Sequence, residues 1–312
     1  MIDKPSRRDF FKQAVAAGTL LSMGLSTQGK AADQGVKIGV FSKHMQWLNA
    51  RETAEVTAEY GWDGIECPVR PGGHVLPERV KDDLPAMVEA LKKNGVDMLV
   101  AATGFNDVHD PYAMDILRVM SENGVNLYRP NWYKYDDKTL IPVQLEKIAP
   151  RLQELAAVNA ELGVCMAYQN HSGGEYVGGP VWDLYGLIKN LDPKYMGMAF
   201  DIGHATVEGG YTWRVDARLM RDRMKVVIVK DFKWAKDNRG KWQAAWCPLG
   251  EGMVDVDFFT WLKETGFNGV IIQHFEYEVE GRTEKDIRAN SLKAMKKDCE
   301  TLQAWLKQAG LR

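Results

Sequence analysis

One short stretch, Leu162-Gly163-Val164-Cys165-Met166-Ala167-Tyr168-Gln169-Asn170-His171, contains the pattern that decides the fold. Apolar positions at three- and four-residue steps over residues 143–162 predict a helix in front of it. The glycine after that run suits the left-handed end of a helix. The continuous apolar run that follows is typical of a parallel strand covered on both faces, and it ends in polar residues. Helix, glycine, strand and polar end form one unit.

The same unit recurs along the chain. Candidate strands cover residues 37–41, 64–67, 97–101, 126–129, 164–168, 196–200, 226–229 and 269–273. Further helical patterns cover residues 84–93 and 113–122, and glycines end helices at Gly95, Gly124, Gly163 and Gly266. Eight units in about 280 residues predict an α/β fold, a single (β/α)8 TIM barrel. An open doubly wound sheet fits less well, because no G-x-G-x-x-G motif follows the first strand.

The first tenth of the chain has a different character. Ser6-Arg7-Arg8-Asp9-Phe10-Phe11-Lys12 precedes an apolar, small-residue run that ends near Ala31 and Ala32. This anatomy resembles a twin-arginine export signal, with an amphipathic first helix as the alternative. We therefore expect a signal peptide over residues 1–32 and a barrel domain over residues 33–312. The resemblance implies the twin-arginine export machinery as a partner and a periplasmic or exported location.

Composition and charge exclude several classes of protein. The chain of 312 residues is 45% hydrophobic and 26% charged, with a formal net charge of −2. Residues 1–32 hold five basic and two acidic residues, so they carry +3 and the remainder carries −5. This mildly acidic remainder argues against nucleic-acid binding, and no apolar run is long enough for a stable membrane anchor. The cysteines form no metal-binding pattern, and Cys67 and Cys165 on apolar strands are expected to be buried thiols.

Polar residues collect at the ends of the candidate strands, where the active site of such a barrel lies. A buried polar group at the end of an apolar strand needs a partner or a ligand, which favours a functional role. Such residues are Gln169, His171, Asp201, Lys230 and Glu276. A loop with two glycines, Arg70-Pro71-Gly72-Gly73-His74, is a candidate substrate loop or a simple turn. Asp231, His44 and His109 are expected to be ordinary polar residues.

Several of these segments also carry a family resemblance. They are Gly61-Trp62-Asp63-Gly64-Ile65-Glu66, Asn170-His171, Phe200-Asp201-Ile202-Gly203-His204, Val229-Lys230-Asp231 and Pro248-Leu249-Gly250-Glu251-Gly252. Over nearly all of residues 33–312 the sequence resembles the xylose-isomerase-like TIM barrels of the sugar phosphate isomerase and epimerase superfamily. The reactions of that superfamily include isomerisation, epimerisation, dehydration and cleavage at abasic sites in DNA.

The resemblance implies a metal site with four ligands, from the ends of strands five to eight. Gln169, Asp201, Ile228 and Glu276 stand at these positions, with Gln273 as another register for the last. A divalent ion, Mn²⁺ or Mg²⁺ rather than Zn²⁺, is then expected on Asp201, Glu276 and Gln169. The alternative is that the metal has been lost and that Lys230 and Arg70 supply positive charge.

The residue types suit proton transfer next to a carbonyl group. Glu276 is the expected base, Glu66 or His171 its counterpart, and Lys230 the charge that stabilises the intermediate. The expected substrate-binding residues are Arg70, His74, Asn170, His204 and Trp132.

The leading hypothesis is an isomerase or epimerase that acts on an unphosphorylated sugar or sugar derivative, with or without metal assistance. A keto-sugar lyase or dehydratase and a non-catalytic sugar-binding barrel remain alternatives. The oligomeric state stays open, with a homo-oligomer as one possibility.

Overall fold

The computed structural model of the protein describes residues 35–312. The predicted signal peptide and its boundary at residue 32 lie outside the described residues, so they remain predictions. Within the described part, no helix is both long and apolar enough to cross a membrane.

Eight parallel strands close into a barrel, which confirms the predicted fold. They are β1 (Lys37–Phe41), β2 (Gly64–Val69), β3 (Asp97–Thr103), β4 (Leu127–Arg129), β5 (Cys165–Gln169), β6 (Met196–Asp201), β7 (Met224–Val229) and β10 (Val270–Gln273). Each candidate strand corresponds to one of these, and β1 closes the barrel by pairing with β10.

The helices lie between the strands, as a barrel of right-handed crossovers requires. They are α1 (Ala50–Glu59), α2 (Val80–Lys93), α3 (Ala113–Glu122), α4 (Ile141–Leu162), α5 (Trp182–Ile188), α6 (Ile202–Gly209), α7 (Trp213–Met220), α8 (Asp257–Glu264) and α9 (Glu284–Gln308). Gly163 ends α4 with φ +68°, the left-handed backbone predicted for it.

The two-residue alternation of the strands divides the core into two parts. Ile38 and Val40 of β1 point outward and pack with residues of the surrounding helices. Phe41 points inward, where Ala167, Ala199 and Ile228 of other strands complete a small inner cluster. Because alternate residues face the same side, the polar residue two positions beyond an inner apolar residue also points into the barrel.

A two-stranded hairpin between β7 and α8 was not predicted. Its strands are β8 (Asp231–Lys236) and β9 (Trp242–Cys247), which pair antiparallel outside the barrel sheet. The segment has many charged residues and is half exposed, so it lacks the continuous apolar run of a barrel strand. The hairpin places Trp246 at the open end of the barrel.

Asp231 has a structural role, in line with its expected ordinary character. Its carboxylate accepts hydrogen bonds from the backbone N–H groups of Phe232, Gly250, Gly252 and Val254 at 2.9–3.0 Å. These bonds fix the Pro248–Gly252 turn beside the hairpin. The four cysteines are free and buried, which confirms the prediction for Cys67 and Cys165.

Asp298 on α9 should make stability depend on pH. Burial raises the pKa of Asp298 to about 6, above its ordinary value of 3.8. The folded state therefore favours the protonated form, and stability falls as pH rises from about 4 to about 6. Asp298→Asn keeps the oxygen that accepts from the Leu249 N–H but carries no charge. We expect the wild type to lose about 2–3 kcal/mol more unfolding free energy than the variant between pH 4 and pH 7 in urea titrations. Equal losses would contradict this assignment.

Candidate active site

Six polar side chains form the layer of the barrel at the carboxyl ends of the strands. They are Glu66, Arg129, Gln169, Asp201, Lys230 and His274, and each is at most 5% exposed. Gln169, Asp201, Lys230 and His274 stand two positions beyond the inner residues Ala167, Ala199, Ile228 and Ile272. The alternation of the strands thus brings three predicted residues, Gln169, Asp201 and Lys230, to one place together with His274.

Glu66 is the centre of a buried ionic group. Its Oε1 accepts a hydrogen bond from Arg129 Nε at 2.6 Å, and its Oε2 lies 2.8 Å from His274 Nε2. Burial alone would raise the pKa of Glu66, but the charge of Arg129 and the hydrogen bond from His274 lower it to about 2. Both oxygens are taken, so Glu66 does not fit the predicted role of a proton-transfer residue. It holds Arg129 and His274 in place.

Asp201 is the second anchored carboxylate. Its Oδ1 caps α6 by accepting from the His204 N–H at 3.0 Å, and its Oδ2 accepts from Gln169 Nε2 at 2.8 Å. The Asn170 side chain binds the backbone of Asp201 through both its amide oxygen and its amide nitrogen. Asn170 was predicted to bind substrate, but both groups of its amide are used to position Asp201.

Lys230 follows β7 and is buried at the middle of the polar layer. Its Nζ lies 2.7 Å from His204 Nε2, 3.2 Å from Asp201 Oδ2 and 3.7 Å from Glu276 Oε1. The Trp246 ring of the hairpin covers it, with 4.6 Å between Nζ and the ring centroid. Lys230 therefore links the two carboxylates.

His204 is neutral in this arrangement. Burial, with the charge of Lys230, places the pKa of His204 well below its ordinary value. Its Nε2 must accept from the Lys230 ammonium, so the proton lies on Nδ1, 2.7 Å from Ser172 Oγ. This tautomer follows from the donors around the ring. His204 was predicted to bind substrate, but both its nitrogens have protein partners.

Glu276 is the carboxylate that remains accessible, with a quarter of its side chain exposed. His274 Nδ1 lies 3.8 Å from its Oε1. Although burial opposes the effect, His274 and the charge of Lys230 hold the pKa of Glu276 far below its ordinary range. The other register is excluded, because Gln273 turns outward to Trp62 Nε1 and the backbone of Met295.

His171 lies beside His204, within an aromatic group. Its ring centroid is 4.0 Å from that of His204, 4.3 Å from Tyr176 and 4.9 Å from Trp132. Burial lowers the pKa of His171, so the ring is neutral near pH 7. Its Nδ1 lies 2.8 Å from the carbonyl oxygen of Ser172 and therefore carries the proton, which leaves a lone pair on Nε2.

Two buried polar atoms of this layer have no hydrogen-bond partner among the described residues. They are Gln169 Oε1 and His274 Nδ1. The amide orientation of Gln169 is fixed because its nitrogen must donate to Asp201. Unpartnered buried polar atoms are costly, and they are typical of sites that bind a ligand. Gln169 Oε1 can accept a hydrogen bond, which suits a hydroxyl group of a sugar.

The predicted substrate loop lies at the rim. The Arg70 guanidinium is half-buried and stands 5.6 Å from the ring centroid of Phe41. His74 Nε2 lies 3.1 Å from the carbonyl oxygen of Ser42, so this ring is held by the backbone. A Cβ on Gly73 would lie 2.5 Å from the carbonyl oxygen of Pro68, which explains the glycine. Arg70 remains available to a ligand, whereas His74 has a structural partner.

The residues at the expected metal positions do not fit a divalent ion. Ile228 is fully buried among apolar side chains, Gln169 presents its N–H to Asp201, and the Lys230 ammonium contacts Asp201. A separate group could hold a metal ion, since ligand atoms of Asp107, His109 and Glu154 all lie within 4.8 Å of one another. Two of its three members are exposed, and no predicted site residue belongs to it.

A cavity of about 530 Å³ adjoins the aromatic group, which is within the usual range for small-molecule sites. Tyr176 belongs to both, and Tyr135 and Trp182 form further aromatic walls. Glu208 and Asp216 line the same cavity. Its aromatic and acidic lining suits a neutral, hydroxyl-rich molecule better than an anion.

The family description "Xylose isomerase-like TIM barrel" matches residues 54–308, most of the chain. The chain belongs to this family. A curated relative is an uncharacterized protein of Methanocaldococcus jannaschii, 22% identical over 252 residues that make up 76% of this chain and 82% of that one.

This xylose isomerase-like barrel also resembles solved structures of sugar epimerases. D-Psicose 3-epimerase of Clostridium cellulolyticum H10, with D-tagatose, superposes with a TM-score of 0.65 at 17% identity, over 88% of this chain and 99% of that one. The 3-keto-D-glucoside 4-epimerase of E. coli gives a TM-score of 0.63 at 16% identity, over 88% and 99%. At these identities the likeness shows a common fold.

Sequence reasoning gave no role to Arg129, His274, Ser172 or Trp246. Arg129 and His274 do end candidate strands, and their alternation with inner apolar residues is the signal that could have found them. Ser172 and Trp246 lie in a loop and in the hairpin, where no periodic pattern marks them.

Proposed function

We propose that this protein is a sugar isomerase or epimerase that moves a proton at a carbon next to a carbonyl group. The observation that carries the proposal is Glu276, a partly accessible carboxylate beside the buried Lys230 ammonium. The carboxylate can take the proton, and the positive charge lies where negative charge develops on the carbonyl oxygen. Both structural relatives described above are epimerases, which supports the proposed function.

His171 is the partner of Glu276 in this reaction. The lone pair on its Nε2 and its half-exposed position let it accept or return a proton. Glu276 lies beside Lys230 and His171 lies beside His204, so both groups adjoin the Lys230–His204 pair. Gln169 Oε1 then accepts a hydrogen bond from a sugar hydroxyl, and Arg70 and Trp132 bound the opening.

The substrate is an unphosphorylated sugar or sugar derivative. The carboxylates of Glu208 and Asp216 in the adjoining cavity would repel a phosphate group. The predicted export signal, which would place the protein in the periplasm, agrees with a free sugar. A ketose is the natural first probe, because its carbonyl acidifies the neighbouring C–H bond.

Exchange of hydrogen with solvent tests the proposal. D-Tagatose and D-psicose incubated with the full chain in D₂O should gain deuterium next to the carbonyl group, as read by NMR. Exchange should occur even where net conversion is slow, since the proton passes through Glu276 or His171. If a sugar binds by calorimetry and gains no deuterium, the protein is a binding module and the proposal is wrong.

A further inference from the structure

The Lys230 ammonium stands where a divalent cation would join the two carboxylates of the site. Its Nζ lies 3.2 Å from Asp201 Oδ2 and 3.7 Å from Glu276 Oε1. We propose that Lys230 replaces the divalent metal as the cation of this site, so that proton transfer needs no metal on Asp201 and Glu276. This inference rests on the proposed function, because it names the group that stabilises the intermediate.

The surroundings of Lys230 match the three protons of an ammonium group. His204 Nε2 accepts one at 2.7 Å and Asp201 Oδ2 a second at 3.2 Å. The third faces Glu276 Oε1, and 3.7 Å is longer than a hydrogen bond. A substrate oxygen can therefore accept a hydrogen bond from this third N–H group. The negative charge of an enediolate would lie on that oxygen.

The lysine is held by its environment rather than placed there by chance. Its side chain is 4% exposed, and Trp246 covers the ammonium with its ring. A Cβ on Gly203 would lie 2.9 Å from Lys230 Cγ, so the missing side chain at Gly203 leaves room for the lysine stem. The position of Lys230 is therefore set by three elements: the hairpin, helix α6 and strand β7.

A metal ion and this ammonium exclude each other. A hard cation binds a carboxylate oxygen at about 2.1 Å, so an ion on Asp201 Oδ2 would stand a few ångströms from Lys230 Nζ. Two like charges at that distance in a buried site repel strongly. The carboxylates of Glu66, Asp201 and Glu276 also have cationic partners without a metal, since Arg129 pairs with Glu66 and Lys230 lies beside the other two.

The residues at the other two expected ligand positions also argue against a metal ion. Ile228 occupies the place of a ligand with a fully buried hydrocarbon side chain. Gln169 points its N–H group, a donor, at the carboxylate that would bind the ion. Ile228 and Gln169 are both compatible with Lys230 as the central cation, because neither is one of the residues that contact its ammonium group.

Titration with Mn²⁺ alone, followed by electron paramagnetic resonance, tests the inference without any sugar. His109→Ala first disrupts the Asp107–His109–Glu154 group, which could bind metal by itself. In this background, chelator-treated full-length protein should show no saturable Mn²⁺ binding up to about 1 mM. Deuterium exchange into a ketose should be unchanged by chelator. A saturable site that disappears with Asp201→Asn would overturn the inference.

The complementary variant is Lys230→Ala in the same background. Removal of the ammonium leaves Asp201 and Glu276 unneutralised, so Mn²⁺ affinity should rise at least tenfold and fall again on adding Asp201→Asn. Folded Lys230→Ala protein with no gain would also overturn the inference. The first titration uses His109→Ala protein in which Lys230 is unchanged, so it tests the inference even if Lys230→Ala does not fold. If both Mn²⁺ titrations give the expected results but no deuterium enters the ketose, only the proposed function is contradicted.

Discussion

Glu276→Gln is expected to lower the rate of deuterium exchange and of sugar turnover by about a thousandfold, the usual size of a general-base contribution. Glutamine keeps the shape of the side chain but has no basic oxygen. Because the carboxylate lies at the opening and its partner contacts are 3.7 Å and 3.8 Å long, the change should disturb the fold little. The effect should therefore appear in kcat, while sugar binding measured by calorimetry changes at most a few-fold.

Glu278→Gln is the matched control, since it removes an exposed carboxylate two residues further along the same segment. It should leave kcat within a factor of about two. If Glu276→Gln retained full exchange, the base would have to be His171. A parallel loss of sugar binding would instead show that Glu276 acts by holding the ligand.

The fold was predictable because its signals are local. An apolar run such as residues 196–200 defines a strand without reference to any other part of the chain. Gly163 ends its helix by a conformation that one residue adopts alone. The β8–β9 hairpin had no such signal, because Trp234 and Trp242 are largely exposed and its other positions are mixed in polarity.

The sequence predicted many of the residues that form the site, but only some of the roles of those residues. Strand ends converge in a barrel, so Asp201, Lys230 and Glu276 could be expected together. Their partners could not be read in this way. Glu66 meets Arg129 across 63 residues and His274 across 208, and only the register of the closed barrel decides that these three side chains touch. For the same reason the sequence left open whether Lys230 or a metal occupies the centre.

Glu66→Gln is expected to lower the unfolding free energy at pH 7 by about 3–5 kcal/mol, the usual cost of removing one partner from a buried ion pair. The carboxylate is 1% exposed, and its loss leaves Arg129 charged and unpaired in the barrel. A neutral hydrogen bond from Arg129 Nε to the glutamine oxygen and the cation–π contacts of Arg129 with Phe41 and Trp132 would remain. Urea unfolding monitored by circular dichroism measures the change.

The exposed Lys37–Asp97 pair of β1 and β3 supplies the control, and Asp97→Asn should cost less than about 1 kcal/mol. The pH dependence distinguishes a charge effect from lost packing. Because the pKa of Glu66 is lowered to about 2 in the folded state, its stabilisation is complete above its ordinary value of 4.5 and is lost as pH falls toward 2. The difference between wild type and Glu66→Gln should shrink over that interval. A difference that stays constant from pH 7 to pH 2 would mean that Glu66 stabilises the barrel by shape alone, and the ionic group would then not be what positions His274 beside Glu276.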